Sequence, residues 1–431
     1  MRNTFQMAID RRRLMQSLAA VAASGVVPGG AFAAGGSAKG RVVVIGGGFG
    51  GATAAKYLRK WSNGGIDVTL IERNANFISC PASNEVLSGE RKYETLIHTY
   101  DGLSKAWGVK VVEAAVTGID GEKRVVKTDK AGEFAYDRLV LAPGFDFVPN
   151  GMKGYDPASE ERVLHAWKAG PQTLALRRQL EALEDGGVYA LTIPQAPYRC
   201  PPGPYERASQ IAHYFKAHKP KSKVLVLDAN DKVISKEKLF LGVWEADYKG
   251  ILEYRPKWNA VSVDAATRTV TSEFGDKETV GVLNVVPPQR AADVARLAGV
   301  VNVNDRWADI NWVTFESTAV KNIHVVGDAL QAAPLMPKSG HMANQHGKAV
   351  AAAIVELLAG RDPQPTLLAN TCYSMVDGKR GIHVASVHRY NAEKKVHLVV
   401  EGSGGVSKAP TEEEGNFTHA WADTIWADSF A

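Results

Sequence analysis

Long apolar runs are missing from this chain. Although 45% of its 431 residues are apolar, no stretch is long enough to span a bilayer, which excludes an integral membrane segment. A surplus of charge is missing too. The net charge is +5, and the first 33 residues supply Arg2, Arg11, Arg12 and Arg13 against Asp10, which leaves +2 for the rest. So even a balance gives no electrostatic footprint for nucleic acid. The eleven histidines show no metal-ligand spacing, and His341 and His346 read as packing or surface residues of a helix. No C-x-x-C-H occurs, so a c-type haem cannot be attached to this chain. Cysteine is scarce and odd in number: Cys80, Cys200 and Cys372.

What is present begins with a leader-like segment. Arg11-Arg12-Arg13-Leu14-Met15, the Ala/Val/Leu stretch from Leu18 to Val27 and Ala31-Phe32-Ala33 read as an export signal over residues 1–33. The arginine order resembles the twin-arginine type, a route for folded, cofactor-loaded proteins, with an ordinary secretory signal as the alternative. The expected location is the periplasm.

Val42-Val43-Val44-Ile45, a glycine turn and Ala52–Leu58 read as strand, turn and helix, and Asp67–Ile71 closes a βαβ unit. Further strands are expected at Val109–Val112, Arg124–Thr128 and Arg138–Leu141. A second α/β region follows, with helices near Gln172–Glu184 and Tyr205–Ala217 and strands at Val188–Ile193 and Val224–Leu227. Strands at Asn284–Val286 and His324–Val326 and a helix over Gly340–Leu358 are expected to complete the first domain. Short strands such as Gly381–Val387 and Val396–Val399 then lead to a tail bearing Trp421 and Trp426. The fold class is α/β: two Rossmann-like dinucleotide-binding domains and a small α+β C-terminal domain. The expected boundaries are 40–144 and 271–362 for the first domain, 145–270 for the second and 363–431 for the third.

Gly46, Gly48 and Gly51 form G-x-G-x-x-G between strand and helix. The first glycine permits the tight turn, the second lets a pyrophosphate approach the backbone, and the third lets helix pack on strand. The helix N-terminus offers free N–H groups to the phosphates. Glu72, 21 positions after Gly51 at the end of the second strand, can accept ribose hydroxyls. Tyr136–Gly144 and Ile323–Asp328 resemble the later motifs of FAD enzymes of the glutathione-reductase-like class, which implies FAD, with Asp328 on the ribityl chain. Lys338, Ser339 and Gly340 lead into a helix whose N-terminus can face the flavin pyrimidine. A second glycine fingerprint, expected after Val188–Ile193 for a nicotinamide cofactor, is replaced by Pro194–Pro204, where prolines remove N–H donors. Glu206, six positions after Cys200 in the first turn of a helix, is a candidate proton relay if burial raises it. An exposed acid complementing the helix dipole is the other reading.

The segments Phe77–Val86, Arg199–Ala208, Asn370–Ser374, Asn284–Arg290 and Met336–Gly340 together resemble the flavoprotein subunit of flavocytochrome c sulfide dehydrogenase, from about Gly40 to the C-terminus. The resemblance implies a thioether from Cys80 to FAD and a redox-active disulfide between Cys200 and Cys372. It further implies oxidation of sulfide to sulfur or polysulfide, with electrons passed to a c-type cytochrome subunit that carries haem c. Pro81-Ala82 stand in a stretch that varies among relatives. Two other activities are weighed: a sulfide:quinone reductase, against which the polar C-terminus with Lys394, Lys395 and Glu412–Glu414 speaks, and a flavin-bearing accessory subunit without turnover of its own.

Overall fold

A computed structural model describes residues 38–431; the leader expected at 1–33 lies outside the described residues. Strand β1 (Gly40–Ile45), almost wholly apolar, is followed by helix α1 (Phe49–Trp61), strand β2 (Ile66–Glu72) and the short helix α2 (Ser83–Ser88). Strands β3 (Lys110–Glu113) and β4 (Arg138–Leu141) come next. The central region runs α3 (Pro171–Ala182), β5 (Val188–Ile193), α4 (Gly203–His218), β6 (Lys223–Asp228), α5 (Glu237–Asp247), β7 (Leu252–Arg255) and β8 (Val282–Val285). The chain closes with β9 (Ile323–Val325), α6 (Gly340–Leu358), β10 (Leu368–Met375), β11 (Gly381–Asn391), β12 (Val396–Val399) and α7 (Glu412–Phe430).

Two parallel sheets carry the fold. One has the order β9-β4-β1-β2-β3 and the other β7-β6-β5-β8. The inner strands β1, β4, β5 and β6 are near-continuous buried runs because both faces are covered, as in parallel sheets generally, whereas the edge strands β3 and β7 are partly exposed. A third, antiparallel sheet holds β10, β11 and β12. The strand expected at Asn284–Val286 to complete the first domain instead pairs with β5 in the second sheet. A four-residue buried strand has no periodicity that marks which parallel sheet it joins, so the expected boundary at 270/271 falls too early.

The aromatic tail is a helix that folds back onto the first sheet's layer. Asn344 of α6 donates to Thr53 of α1 at 2.9 Å and to Asp428 of α7 at 2.8 Å, while Lys348 pairs with Asp428 at 2.8 Å. Phe430 stacks on Phe77 with centroids 4.7 Å apart, and Trp426 donates to the Ser79 hydroxyl at 2.9 Å. The C-terminal helix therefore braces the loop that carries Cys80. Helices α1 and α6 approach at glycine: a Cβ on Gly347 would stand 2.5 Å from the Gly50 carbonyl oxygen. Replacing Gly347 by Ala forces these helices apart and is expected to cost about 1–3 kcal/mol, the usual penalty of overpacking. An unchanged urea midpoint would show that the crossing is loose.

Candidate active site

The turn between β1 and α1 is closed by backbone contacts that exclude side chains. Gly46 has φ 97°, and a Cβ there would lie 2.3 Å from the Ala142 carbonyl oxygen; at Gly51 it would lie 1.9 Å from that of Gly46. Gly48 is different, because the nearest atom to an added Cβ is the Phe77 ring at 3.8 Å. Protein packing does not demand glycine at 48, whereas a pyrophosphate lying on the helix N-terminus does. Glu72 accepts from the Gly47 N–H at 2.7 Å through Oε2 and from Asn74 at 2.9 and 2.8 Å through Oε1. Its carboxylate is thus held at the lip of the turn, with an Oε2 lone pair left for a ribose hydroxyl.

From this turn a cavity of about 840 Å³ runs past Cys80 and Arg199 to Asp328 and Gly340. Two of its polar atoms, Asp328 Oδ1 and Arg199 Nε, are buried and lack a partner. Orphans of this kind are costly, and the pair fits FAD, whose ribityl hydroxyls would donate to the carboxylate and whose ring acceptors would take the guanidinium N–H. Burial raises Asp328 above the usual carboxylate range, against the pull of Arg199 and Lys338. At the cavity wall, Cys80 Sγ accepts from the Ala169 N–H at 3.4 Å and lies 3.7 Å from the Trp167 carbonyl, which also accepts from Arg199. The Lys338 ammonium does not reach the cavity. It donates to the carbonyl of Asp328 at 2.9 Å and to that of Leu330, and sits 3.7 Å from the centre of the Trp307 ring. The backbone at 338–340 matters instead: Gly340 lines the cavity, and Ser339 caps α6 by accepting from Met342 N–H at 3.0 Å.

That same turn gathers the other two cysteines. Cys200 adopts φ 60°, and its N–H donates to the Lys338 carbonyl at 2.7 Å. Ser339 donates to Asn370 Oδ1 at 2.7 Å, and Asn370 Nδ2 donates to Cys372 Sγ at 3.4 Å. All three cysteines are free thiols in this structure. Burial pushes Cys200 up to about 12, only partly offset by Arg199, with Cys372 and Glu206 adding to the rise. Burial also raises Cys372, while Asn370, Lys236 and Ser339 oppose it. Glu206 bonds the Met375 N–H at 2.9 Å through Oε1 and Asn84 Nδ2 at 3.0 Å through Oε2. Burial dominates these and raises it to about 7, so the carboxyl is no mere complement to the dipole of α4.

Sequence reasoning missed Lys236, Asn370 and Asp228 and gave Arg199 no role. Lys236 stands with Asp231, Lys232, Glu237 and Lys238 in an ordinary-looking polar stretch, and nothing local marks it as buried. Asp228, at the end of β6, corresponds in the second sheet to Glu72 in the first. It is fully buried; Oδ2 accepts from Tyr205 at 2.8 Å and Tyr254 at 2.9 Å, and Oδ1 accepts from Asn230 N at 2.9 Å and Nδ2 at 2.7 Å. Four donors on four lone pairs leave nothing for a ribose. Among the described residues, no group of three His, Cys, Asp or Glu is placed to hold a metal ion, and no helix is long and apolar enough to cross a membrane.

Two paired parallel sheets, a glycine turn with its ribose acid and a cavity lined by flavin-complementary groups define an FAD-binding flavoprotein oxidoreductase. Residues 40–182 match the pyridine nucleotide-disulphide oxidoreductase family. Residues 173–287 match the central region of the sulfide dehydrogenase [flavocytochrome c] flavoprotein chain, and 363–430 match the flavocytochrome c sulphide dehydrogenase flavin-binding region. The chain belongs to the flavocytochrome c sulfide dehydrogenase flavoprotein family.

More distant likenesses agree on the fold. A type II NADH:quinone oxidoreductase of Staphylococcus haemolyticus is 36% identical over 106 residues, 24% of this chain and 26% of its own length. The mitochondrial sulfide:quinone oxidoreductase of Mus musculus is 22% identical over 297 residues, 65% of this chain and 63% of its own. The matches thus span less than two thirds of these relatives. The structure of the sulfide:quinone oxidoreductase from Aquifex aeolicus superposes with TM-score 0.74 at 20% identity, covering 90% of this chain and 91% of that one. Replacing Gly48 by Ala in a Cys80→Ser background should leave the denaturation midpoint of the flavin-free protein unchanged yet abolish FAD retention on gel filtration. Retention at the wild-type level would remove the pyrophosphate from this turn.

Proposed function

We propose that the protein oxidises sulfide to sulfur or polysulfide in the periplasm and passes the electrons to a c-type cytochrome subunit that carries haem c. The observation that carries this reading is that Cys200 and Cys372 are both tied to the 338–340 turn, whose Gly340 lines the flavin cavity, with Glu206 near enough to raise both thiols. In the working state Cys200 and Cys372 form a disulfide. Hydrosulfide attacks one of its sulfurs, the S–S bond breaks, and one cysteine becomes a persulfide while the other leaves as a thiolate. A second hydrosulfide takes the outer sulfur away as hydrodisulfide, the shortest polysulfide, and leaves two thiolates. FAD held in the cavity would supply the two-electron acceptor that lets the thiolates rejoin and a one-electron route outward. Glu206, raised to about 7, collects the proton that hydrogen sulfide releases as it enters the site, its acidity matched to neutral conditions. Cys80, in the cavity wall, tethers the flavin through a thioether.

The occupied Asp228 and the proline loop leave no seat for a nicotinamide cofactor, which fits an outward transfer to haem. The sulfide:quinone reductase relatives keep a quinone as acceptor open as the second reading. Sulfide-dependent reduction of cytochrome c by the full complex, without added quinone, separates the two.

Replacing Cys200 by Ser should stop sulfide from bleaching the flavin while FAD stays bound; retained bleaching would demote the pair to a structural role. The intact mass of the acid-denatured protein should exceed the polypeptide by one FAD, and Cys80→Ser should return it to the bare value. Glu206→Gln should lower turnover by about 10²- to 10⁴-fold, as loss of a proton-transferring group does, and erase the inflection near pH 7 in its pH profile. A profile with the inflection intact would assign that titration elsewhere.

A further inference from the structure

Lys236 is a charged residue in the interior that the reaction just described does not use. It stands at the N-cap of α5 in the left-handed region, φ 56°, and is 6% exposed. Its ammonium donates to the Cys372 carbonyl at 3.1 Å and the Ser374 hydroxyl at 2.7 Å, and reaches the Ile382 carbonyl at 3.5 Å. Among the described residues, no carboxylate oxygen comes within 4.0 Å of it. A buried cation with only neutral partners is expensive, and a side-chain amide could serve the same acceptors at lower cost. The charge itself therefore asks for a purpose.

The sulfur chemistry offers one. When hydrosulfide opens the Cys200–Cys372 bond, the bonding pair stays on the departing sulfur and the site gains one net negative charge. No electron has yet left, and the surroundings are those that already hold both thiols neutral. Glu206, on α4, makes the site more negative whenever it is ionised. A cation fixed in advance is the device that stabilises such a developing charge without reorganisation.

We infer that Lys236 is a positioning residue for the disulfide: its ammonium, anchored on the Cys372 backbone, stabilises the thiolate and persulfide anions created when the Cys200–Cys372 bond opens. This rests on the sulfide-oxidising reading above. The charged and titratable groups facing Lys236 are Cys372 from β10, Glu206 from α4, Cys200 from the loop before it and Glu414 from α7. Burial lowers Lys236 to about 8 against the pull of these four, so it remains largely protonated at neutral pH.

The test uses the FAD-loaded protein and two variants, Lys236→Gln, which keeps hydrogen-bond donors without charge, and Lys236→Arg, which keeps the charge. Two readouts are taken: the rate at which sulfide bleaches the flavin, and the pH dependence of iodoacetamide alkylation of the reduced cysteine pair. Lys236→Gln should slow bleaching by about 10²- to 10³-fold, the usual loss when one preorganised donor is removed, and shift the alkylation profile to higher pH. Lys236→Arg should restore both to within about tenfold of wild type. A Gln variant with the wild-type alkylation profile overturns the inference, since a merely structural lysine would alter stability or FAD content alone. If sulfide does not bleach even the wild-type flavin, the functional reading fails, and the alkylation profile still decides whether Lys236 stabilises the thiolate.

Discussion

One backbone hydrogen bond joins the two halves of the site. The Cys200 N–H donates to the Lys338 carbonyl at 2.7 Å, tying the loop after β5 to the entry of α6. On the other side of that entry, Ser339 caps the helix and bonds Asn370, which bonds Cys372. A cysteine from the loop after β5 and one from strand β10 are thus tied to a single turn whose next residue, Gly340, lines the flavin cavity. Cys200 takes up φ 60° to make its bond, a conformation that L-residues other than Asn and Asp rarely enter and that commonly accompanies a functional constraint.

The two parallel sheets begin alike and are finished differently. At the end of β2, Glu72 faces the glycine turn and a cavity. At the end of β6, Asp228 is sealed under Tyr205 and Tyr254, and the following segment of β5 leads into prolines instead of glycines. One fold therefore supplies a nucleotide site and a closed counterpart, and what differs is whether the acid's lone pairs are left free. The sealed half becomes the support from which Cys200 and Glu206 are presented to the flavin half.

Burial sets the chemistry of this support. It holds Cys200 as a thiol and lifts Glu206 to about 7, while Lys236 is lowered to about 8. Desolvation acts on acids and bases in opposite directions and so draws both toward neutrality, where proton exchange is easiest. Glu206 and Lys236 act on the two cysteines in opposite senses, the acid adding to the rise of both thiols and the ammonium opposing it.

The sequence by itself determined the βαβ unit with its glycine turn and ribose acid, because those features are local: apolar runs, a fixed glycine spacing and an acid at the end of a strand. It also marked the proline loop, the three cysteines and the helix Gly340–Leu358, which forms over the expected residues. Tertiary structure alone decided that Val282–Val285 joins the second sheet, that the Trp-bearing tail braces the Cys80 loop, and that the Lys338 ammonium turns away from the cavity. It alone revealed Lys236 and Asp228 as buried. Their burial depends on strands and helices up to 146 residues distant in sequence, and no periodicity within a short window reports on contacts made at that range.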